Sequence, residues 1–131
     1  MRSGIRILED TPGDGPLVER QHVYRLRLRM WLNRGEPVRW TTAWGFVDQA
    51  RLEDDGATLV TCVRIDRRSL ISGLFYGVDG MRLGGTRRLE ISPHLAYGEK
   101  GVPGLIPKDA VLVAEVMLLE EPLDFARSGQ K

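Results

Sequence analysis

From Val23 to Leu32 the chain alternates strictly. Tyr24, Leu26, Leu28, Met30 and Leu32 fall on one face, and Arg25, Arg27 and Arg29 on the other. A period of two predicts a half-buried antiparallel strand. The turn Asn33-Arg34-Gly35-Glu36-Pro37 follows, so a hairpin partner is expected to begin near Val38. Leu59 to Ile65 is rich in β-branched residues and reads as another strand. Leu70, Ile71, Leu74, Phe75 and Val78 then recur at helical spacing, with Ser69 as the expected cap and Gly80 as the stop. Gly73 and Gly77 each cost about 1 kcal/mol inside a helix, which predicts a short helix held by packing. Two more strands are expected near Thr86 to Ile91 and Val111 to Leu119.

The remaining stretches read as connections. Thr11-Pro12-Gly13-Asp14-Gly15-Pro16 is dense in turn formers. Asp48 to Ala57 reads as an exposed loop, and Ser92 to Asp109 is a long connection rich in proline and glycine. The tail from Glu120 is charged and expected to fray. No internal repeat or domain boundary is visible. Antiparallel strands with one short helix make an α+β fold.

Composition narrows the function. A chain of 131 residues, 42% hydrophobic, fits one domain with one core. With 28% charged residues and a net charge of +1, nothing pulls the whole chain toward nucleic acid or anionic lipid. The arginines of the first strand therefore read as a solvated sheet face. The single cysteine, Cys62, excludes an internal disulfide and suits a reducing compartment. Residues 1–10 mix charges with short apolar runs, so neither a signal peptide nor a membrane span is expected, and the reading is a soluble cytoplasmic protein. His22 and His94 have no metal partner set. Cys62 sits in a strand as a small buried hydrophobe. Gly84-Gly85 lacks the strand-to-helix setting of a phosphate loop, and no serine lies in a nucleophile elbow. Acyl, phosphoryl and redox chemistry find no machinery, and no cofactor is expected.

The run from Gly80 to Leu119 carries a more specific pattern. It contains a Gly-Met-x-x-Gly turn (Gly80, Met81, Gly84) and an Ile-x-Pro-x-x-Ala-Tyr-Gly segment (Ile91, Pro93, Ala96, Tyr97, Gly98). An Ile-Pro-x-x-Ala segment (Ile106, Pro107, Ala110) and a closing apolar strand follow. In this order the run closely resembles the C-terminal half of FKBP-type peptidyl-prolyl cis-trans isomerases. Pro12-Gly13-Asp14-Gly15 and the strand ending Leu32-x-x-Gly35 are similar to the N-terminal half more loosely. The resemblance implies one FKBP-like domain over residues 1–131, a curled antiparallel β-sheet wrapped around one short α-helix. Its core would run from about 10 to 119, with frayed termini and an inserted loop at about 40–58.

The resemblance also implies an activity: rotation about X-Pro bonds in an apolar pocket, with proline-containing polypeptide segments as partners and macrolide-type molecules as pocket ligands. Tyr97 matches the loop tyrosine whose hydroxyl bonds a ligand carbonyl. Ile71 matches the residue whose backbone N–H does similar work at the helix start. Leu70, Leu105, Ile106 and Val102 match apolar lining positions. Five positions depart from the family pattern, four of them aromatic in the family. Leu74 stands for the tryptophan of the pocket floor, Leu28 for a strand tyrosine, Val38 for a phenylalanine and Ala114 for another. Arg39 stands where the family has an aspartate. Each aromatic buries roughly 150–250 Å², so a wider, more aliphatic pocket with weakened activity is expected. The inserted segment carries Trp40, Trp44 and Phe46, which either cover the sheet, rebuild or plug the pocket, or form a binding surface. Two readings stay open: a weakened isomerase, and a catalytically silent FKBP-fold binding or chaperone-like module that uses the pocket rim and the inserted loop.

Overall fold

The computed structural model describes residues 4–33, 35–38, 51–53, 57–68, 70–103 and 106–121. Its strands are β1 (Ile5–Thr11), β2 (Val23–Leu32), β3 (Arg51–Glu53), β4 (Thr58–Arg64), β5 (Thr86–Ile91) and β6 (Leu112–Glu120). They form one antiparallel sheet in the order β1-β5-β6-β2-β4-β3. Helix α1 (Ser72–Gly77) follows β4.

The alternation in β2 is observed as expected. Tyr24, Leu26, Leu28, Met30 and Leu32 are buried, and the arginines between them are partly exposed. Leu28 lies in register with Leu59 of β4 and Val116 of β6. Met30 faces Ala114, and Ala114 faces Leu89 of β5. These residues, with Leu74, Phe75 and Val78, make one apolar cluster between sheet and helix. The hairpin after β2 turns at Leu32–Glu36, where Gly35 has φ +97° and donates to the Leu32 carbonyl at 2.8 Å. Val38 then donates to Met30 at 2.8 Å, as the expected hairpin requires.

Two strands differ from expectation. Ile5–Thr11 is a full strand paired with β5, so the sheet begins five residues before the expected core. A register shift between Ile7 and Glu9 breaks its period of two and hides the strand in the sequence. Arg51–Glu53, read as loop, pairs with β4 as a three-residue edge strand, too short to show a period. Glu120, read as tail, is the last residue of β6.

Helix α1 is shorter than the apolar spacing suggests. Its N-cap is Ile71, in an extended conformation, whereas the expected cap Ser69 lies outside the described residues. The two glycines explain how so short a helix holds. A Cβ at Gly73 would stand 2.4 Å from Ile91 Cγ2, and one at Gly77 would stand 2.4 Å from Leu89 Cδ1. The helix backbone therefore seats directly on β5, and the intrinsic cost of glycine is offset by close packing. Arg87 of β5 completes the seat. Its side chain is 7% exposed. It donates to the carbonyls of Gly77 (2.9 Å) and Asp79 (2.8 Å) at the helix end and pairs with Asp10 of β1 at 3.2 Å. Carbonyls that a helix end leaves unpaired are thus met by a charged donor.

No helix among the described residues is long and apolar enough to cross a membrane.

Candidate functional site

The connection between β5 and β6 is built mainly by its own backbone. A 3₁₀ helix, Pro93–Leu95, opens it. The Pro93 carbonyl accepts from both Ala96 (3.0 Å) and Gly98 (2.8 Å). Gly101 donates to Tyr97 at 3.0 Å, and Asp109 donates to Gly98 at 2.8 Å. Val102 and Ile106 exchange two bonds of 2.7 and 2.8 Å. Gly101, at φ +61°, is held where a Cβ would stand 2.3 Å from the Ile106 carbonyl oxygen, so only glycine fits there. This lattice fixes the backbone of Tyr97.

The Tyr97 side chain packs against the apolar cluster and is half-buried. Burial pushes its hydroxyl above the usual tyrosine range, so at neutral pH it is an un-ionised O–H donor. Among the described residues that hydroxyl has no hydrogen-bond partner, and it is not sealed from solvent. Ile71 also packs half-buried against the cluster. Its carbonyl accepts from Leu74 and Phe75, each at 3.0 Å, while its own N–H finds no acceptor among the described residues. Two unspent donors, one phenolic and one backbone, thus border the same apolar cluster.

The other expected positions sort by depth. Val102 is partly exposed and, like Tyr97 and Ile71, packs on the cluster. Leu28, Val38, Leu70, Leu74, Ile106 and Ala114 are buried within it, Ala114 completely. Leu105, Arg39, Trp40, Trp44 and Phe46 lie outside the described residues. The sequence reading missed a neighbouring feature. Arg20 lies over the Phe75 ring at 4.8 Å and Arg67 over the Tyr76 ring at 5.7 Å. Nothing in the apolar spacing signals such pairs, because the arginines come from loops outside the helix.

The rest of the chemistry is structural. Cys62 is a buried free thiol. His22 faces Glu121 at 3.0 Å, and His94 bonds Ser92 at 2.9 Å. Among the described residues no group of three His, Cys, Asp or Glu side chains is placed to hold a metal ion.

Comparison with known proteins agrees with this architecture. The family model for FKBP-type peptidyl-prolyl cis-trans isomerase matches residues 46–119. The chain belongs to the FKBP-type peptidyl-prolyl cis-trans isomerase family. It is 39% identical over 116 residues to "Peptidyl-prolyl cis-trans isomerase FKBP10" of Bos taurus, a match covering 84% of this chain and 20% of that protein. The chain thus spans about a fifth of that relative's length. Among solved structures it is similar to a peptidyl-prolyl cis-trans isomerase from Pseudomonas syringae pv. tomato. The TM-score is 0.63 at 26% identity, covering 88% of this chain and 71% of that one. It shares its fold with AtFKBP13, at a TM-score of 0.67 and 22% identity, covering 90% of this chain and 91% of that one.

Proposed function

We propose that this FKBP-type chain isomerises X-Pro peptide bonds, at a rate below that of a pocket lined with aromatics. The observation that carries this reading is the pair of unspent donors, Tyr97 O–H and Ile71 N–H, at the edge of one apolar cluster. The X-Pro bond resists rotation by about 18–20 kcal/mol because of its amide resonance. Twisting it destroys that resonance and makes the amide less polar. A dry apolar wall therefore favours the twisted state over the planar one. Leu28, Val38, Leu70, Leu74, Val102, Ile106 and Ala114, with Leu105 beside them in sequence, are the proposed wall. Tyr97 O–H and Ile71 N–H would hold the carbonyls flanking the bond. No nucleophile, metal or cofactor enters.

A protease-free isomerisation assay on a short proline peptide tests this. Catalysis is expected, and Tyr97→Phe is expected to lower kcat/KM about fivefold, the worth of one neutral hydrogen bond. A rate equal to the spontaneous one at high protein concentration would sink the reading. A macrolide-type ligand is the matching pocket probe, expected to shift the Tyr97 and Ile71 amide resonances.

One observation favours the silent, chaperone-like alternative. Ala114, at a position where the family carries a ring, is completely buried, so the wall there is already closed by its neighbours. Binding of proline-containing chains without rate enhancement is the outcome that selects it. The proposed compartment is cytoplasmic, supported by a single cysteine kept as a buried thiol, and imaging of the tagged protein checks it.

A further inference from the structure

The arginines of this chain are not distributed evenly between paired and unpaired states. On the sheet, six of them hold carboxylates. Arg6 pairs with Glu90 (3.2 Å), Arg25 with Glu120 (3.3 Å), Arg27 and Arg51 with Glu53 (3.5 and 2.8 Å), Arg87 with Asp10 (3.2 Å) and Arg88 with Glu9 (3.5 Å). Around the open side of α1 the pattern reverses. Arg20, Arg67 and Arg68 are all exposed, and among the described residues none has a carboxylate within 4 Å. Arg29, over Trp31, Arg64, on the sheet face of Arg25 and Arg27, and Arg82, bonded to Gly15, also have no carboxylate partner but lie elsewhere.

The three are gathered by the fold. Gln21 donates to Ile65 at 3.0 Å and Ile65 donates to His22 at 2.9 Å, which ties the loop of Arg20 to the end of β4 and the loop of Arg67 and Arg68 that follows it. Arg64 donates to the Gln21 carbonyl at 2.7 Å. Arg20 and Arg67 stack on Phe75 and Tyr76, whose rings meet edge-on at 5.0 Å, and Arg67 also reaches the Tyr76 hydroxyl at 3.4 Å. Two acids, Asp66 and Glu19, lie close in sequence, and neither is within 4 Å of these guanidiniums. The Asp66 carboxylate accepts from the Arg68 N–H at 3.0 Å, and Glu19 faces His22 at 3.7 Å. Stacking holds two guanidiniums in place before any partner arrives, which lowers the ordering cost of binding. The cluster also ends three residues before Ile71, one of the two proposed carbonyl anchors.

We infer that this patch binds acidic residues flanking the target proline, so that the preferred substrates are X-Pro segments bearing Asp or Glu. The substrate preference rests on the isomerase reading above; the acidic partner rests on the arginines alone. An acidic polypeptide is favoured over nucleic acid because the patch abuts the proposed prolyl site and carries no base-stacking ring free of an arginine.

The test uses two peptides with the same X-Pro bond, one flanked by glutamates and the other by glutamines. At low salt the acidic peptide is expected to show about tenfold higher kcat/KM, the sum of a few exposed charge contacts. At 1 M salt, where screening acts within about 3 Å, the ratio should fall toward one. Arg67→Gln with Arg68→Gln should collapse the ratio and leave turnover of the neutral peptide unchanged. Arg20→Gln serves as a second variant should the first pair disturb folding. Equal turnover of both peptides by the unmodified chain overturns this inference and leaves the isomerase reading intact. If neither peptide is isomerised, the isomerase reading fails instead. The patch is then decided by titrating a proline-free glutamate peptide: shifts at Arg67, Arg68 and Tyr76 support it, and their absence overturns it. Tighter binding of a single-stranded oligonucleotide of equal charge overturns it as well.

Discussion

The loop that carries Tyr97 and the contact between α1 and β5 are built on opposite principles. The loop is held mainly by a lattice of backbone hydrogen bonds, from Pro93 to Asp109. The helix contact is a fit of atoms: two glycines against Ile91 and Leu89, closed by the buried Arg87. A backbone lattice tolerates substitution at its side chains, whereas a close fit does not. The contrast is consistent with the proposed site, in which the wall positions vary while both donors are kept. Tyr97 and Ile71 depend on backbone geometry, and Leu28, Leu74 and Ala114 only need to fill space.

Removing Arg87 should break the helix contact most severely. Arg87→Leu leaves Asp10 without its partner and strands the carbonyls of Gly77 and Asp79. Loss of a largely buried pair and of two helix-end bonds is expected to cost about 3 kcal/mol. In thermal unfolding this is a Tm drop of about 10 °C. A drop of only a degree or two would show that the helix end is held by something other than Arg87.

The two glycines sharpen the comparison within the same contact. Ile91 Cγ2 belongs to a β-branched side chain that is stiff at χ1, whereas Leu89 Cδ1 is the far end of a flexible one. Gly73→Ala therefore sets overpacking of about 2 kcal/mol against a helix-propensity gain of about 1, for a net loss of about 1 kcal/mol. Gly77→Ala keeps the gain and moves a methyl aside, so its stability should change by no more than about 0.5 kcal/mol. Chemical denaturation of the two variants measures the difference. Equal losses would mean that the contact is uniformly rigid.

What the sequence made legible follows the same division. The alternation of β2, the β-branched run of β4 and the apolar spacing of α1 are periodic, and each located its element to within a residue or two. β1 was hidden because its bulge puts Leu8 out of phase with Ile5 and Ile7. β3 was hidden by its brevity. Arg87 was legible in principle: it shares a strand face with Leu89 and Ile91, and a charge on an apolar face needs partners. Those partners, Asp10 and the end of α1, come from elements that period-based reading either missed or placed without contacts. The donors Tyr97 and Ile71 were found through family resemblance, because an unspent hydrogen bond leaves no trace in hydrophobic spacing. The arginine cluster was invisible for a related reason: pairing is a property of space, and residues 20 and 67, far apart in sequence, stack on neighbouring rings of α1.

Alkaline titration probes the loop side of the comparison with the mildest perturbation. Burial raises the Tyr97 hydroxyl above its ordinary value of 10.0. Tyr24 is raised too, by burial first and by the nearby carboxylates of Glu121 and Glu19, against the Glu19 N–H that bonds its oxygen. For a group whose folded pKa exceeds its unfolded one, the unfolded chain gives up its proton first. The protonated form then contributes to stability in full below pH 10 and loses that contribution as pH climbs through the folded value. Stability is therefore expected to be insensitive to these two hydroxyls from pH 7 to about 9, and to decline beyond 10. Tyr97→Phe should flatten that decline in part, with Tyr24 supplying the rest. A decline of unchanged slope in the variant would mean that Tyr97 ionises as freely in the folded chain as in water. Its hydroxyl would then stand outside the apolar cluster, where it has no carbonyl to hold.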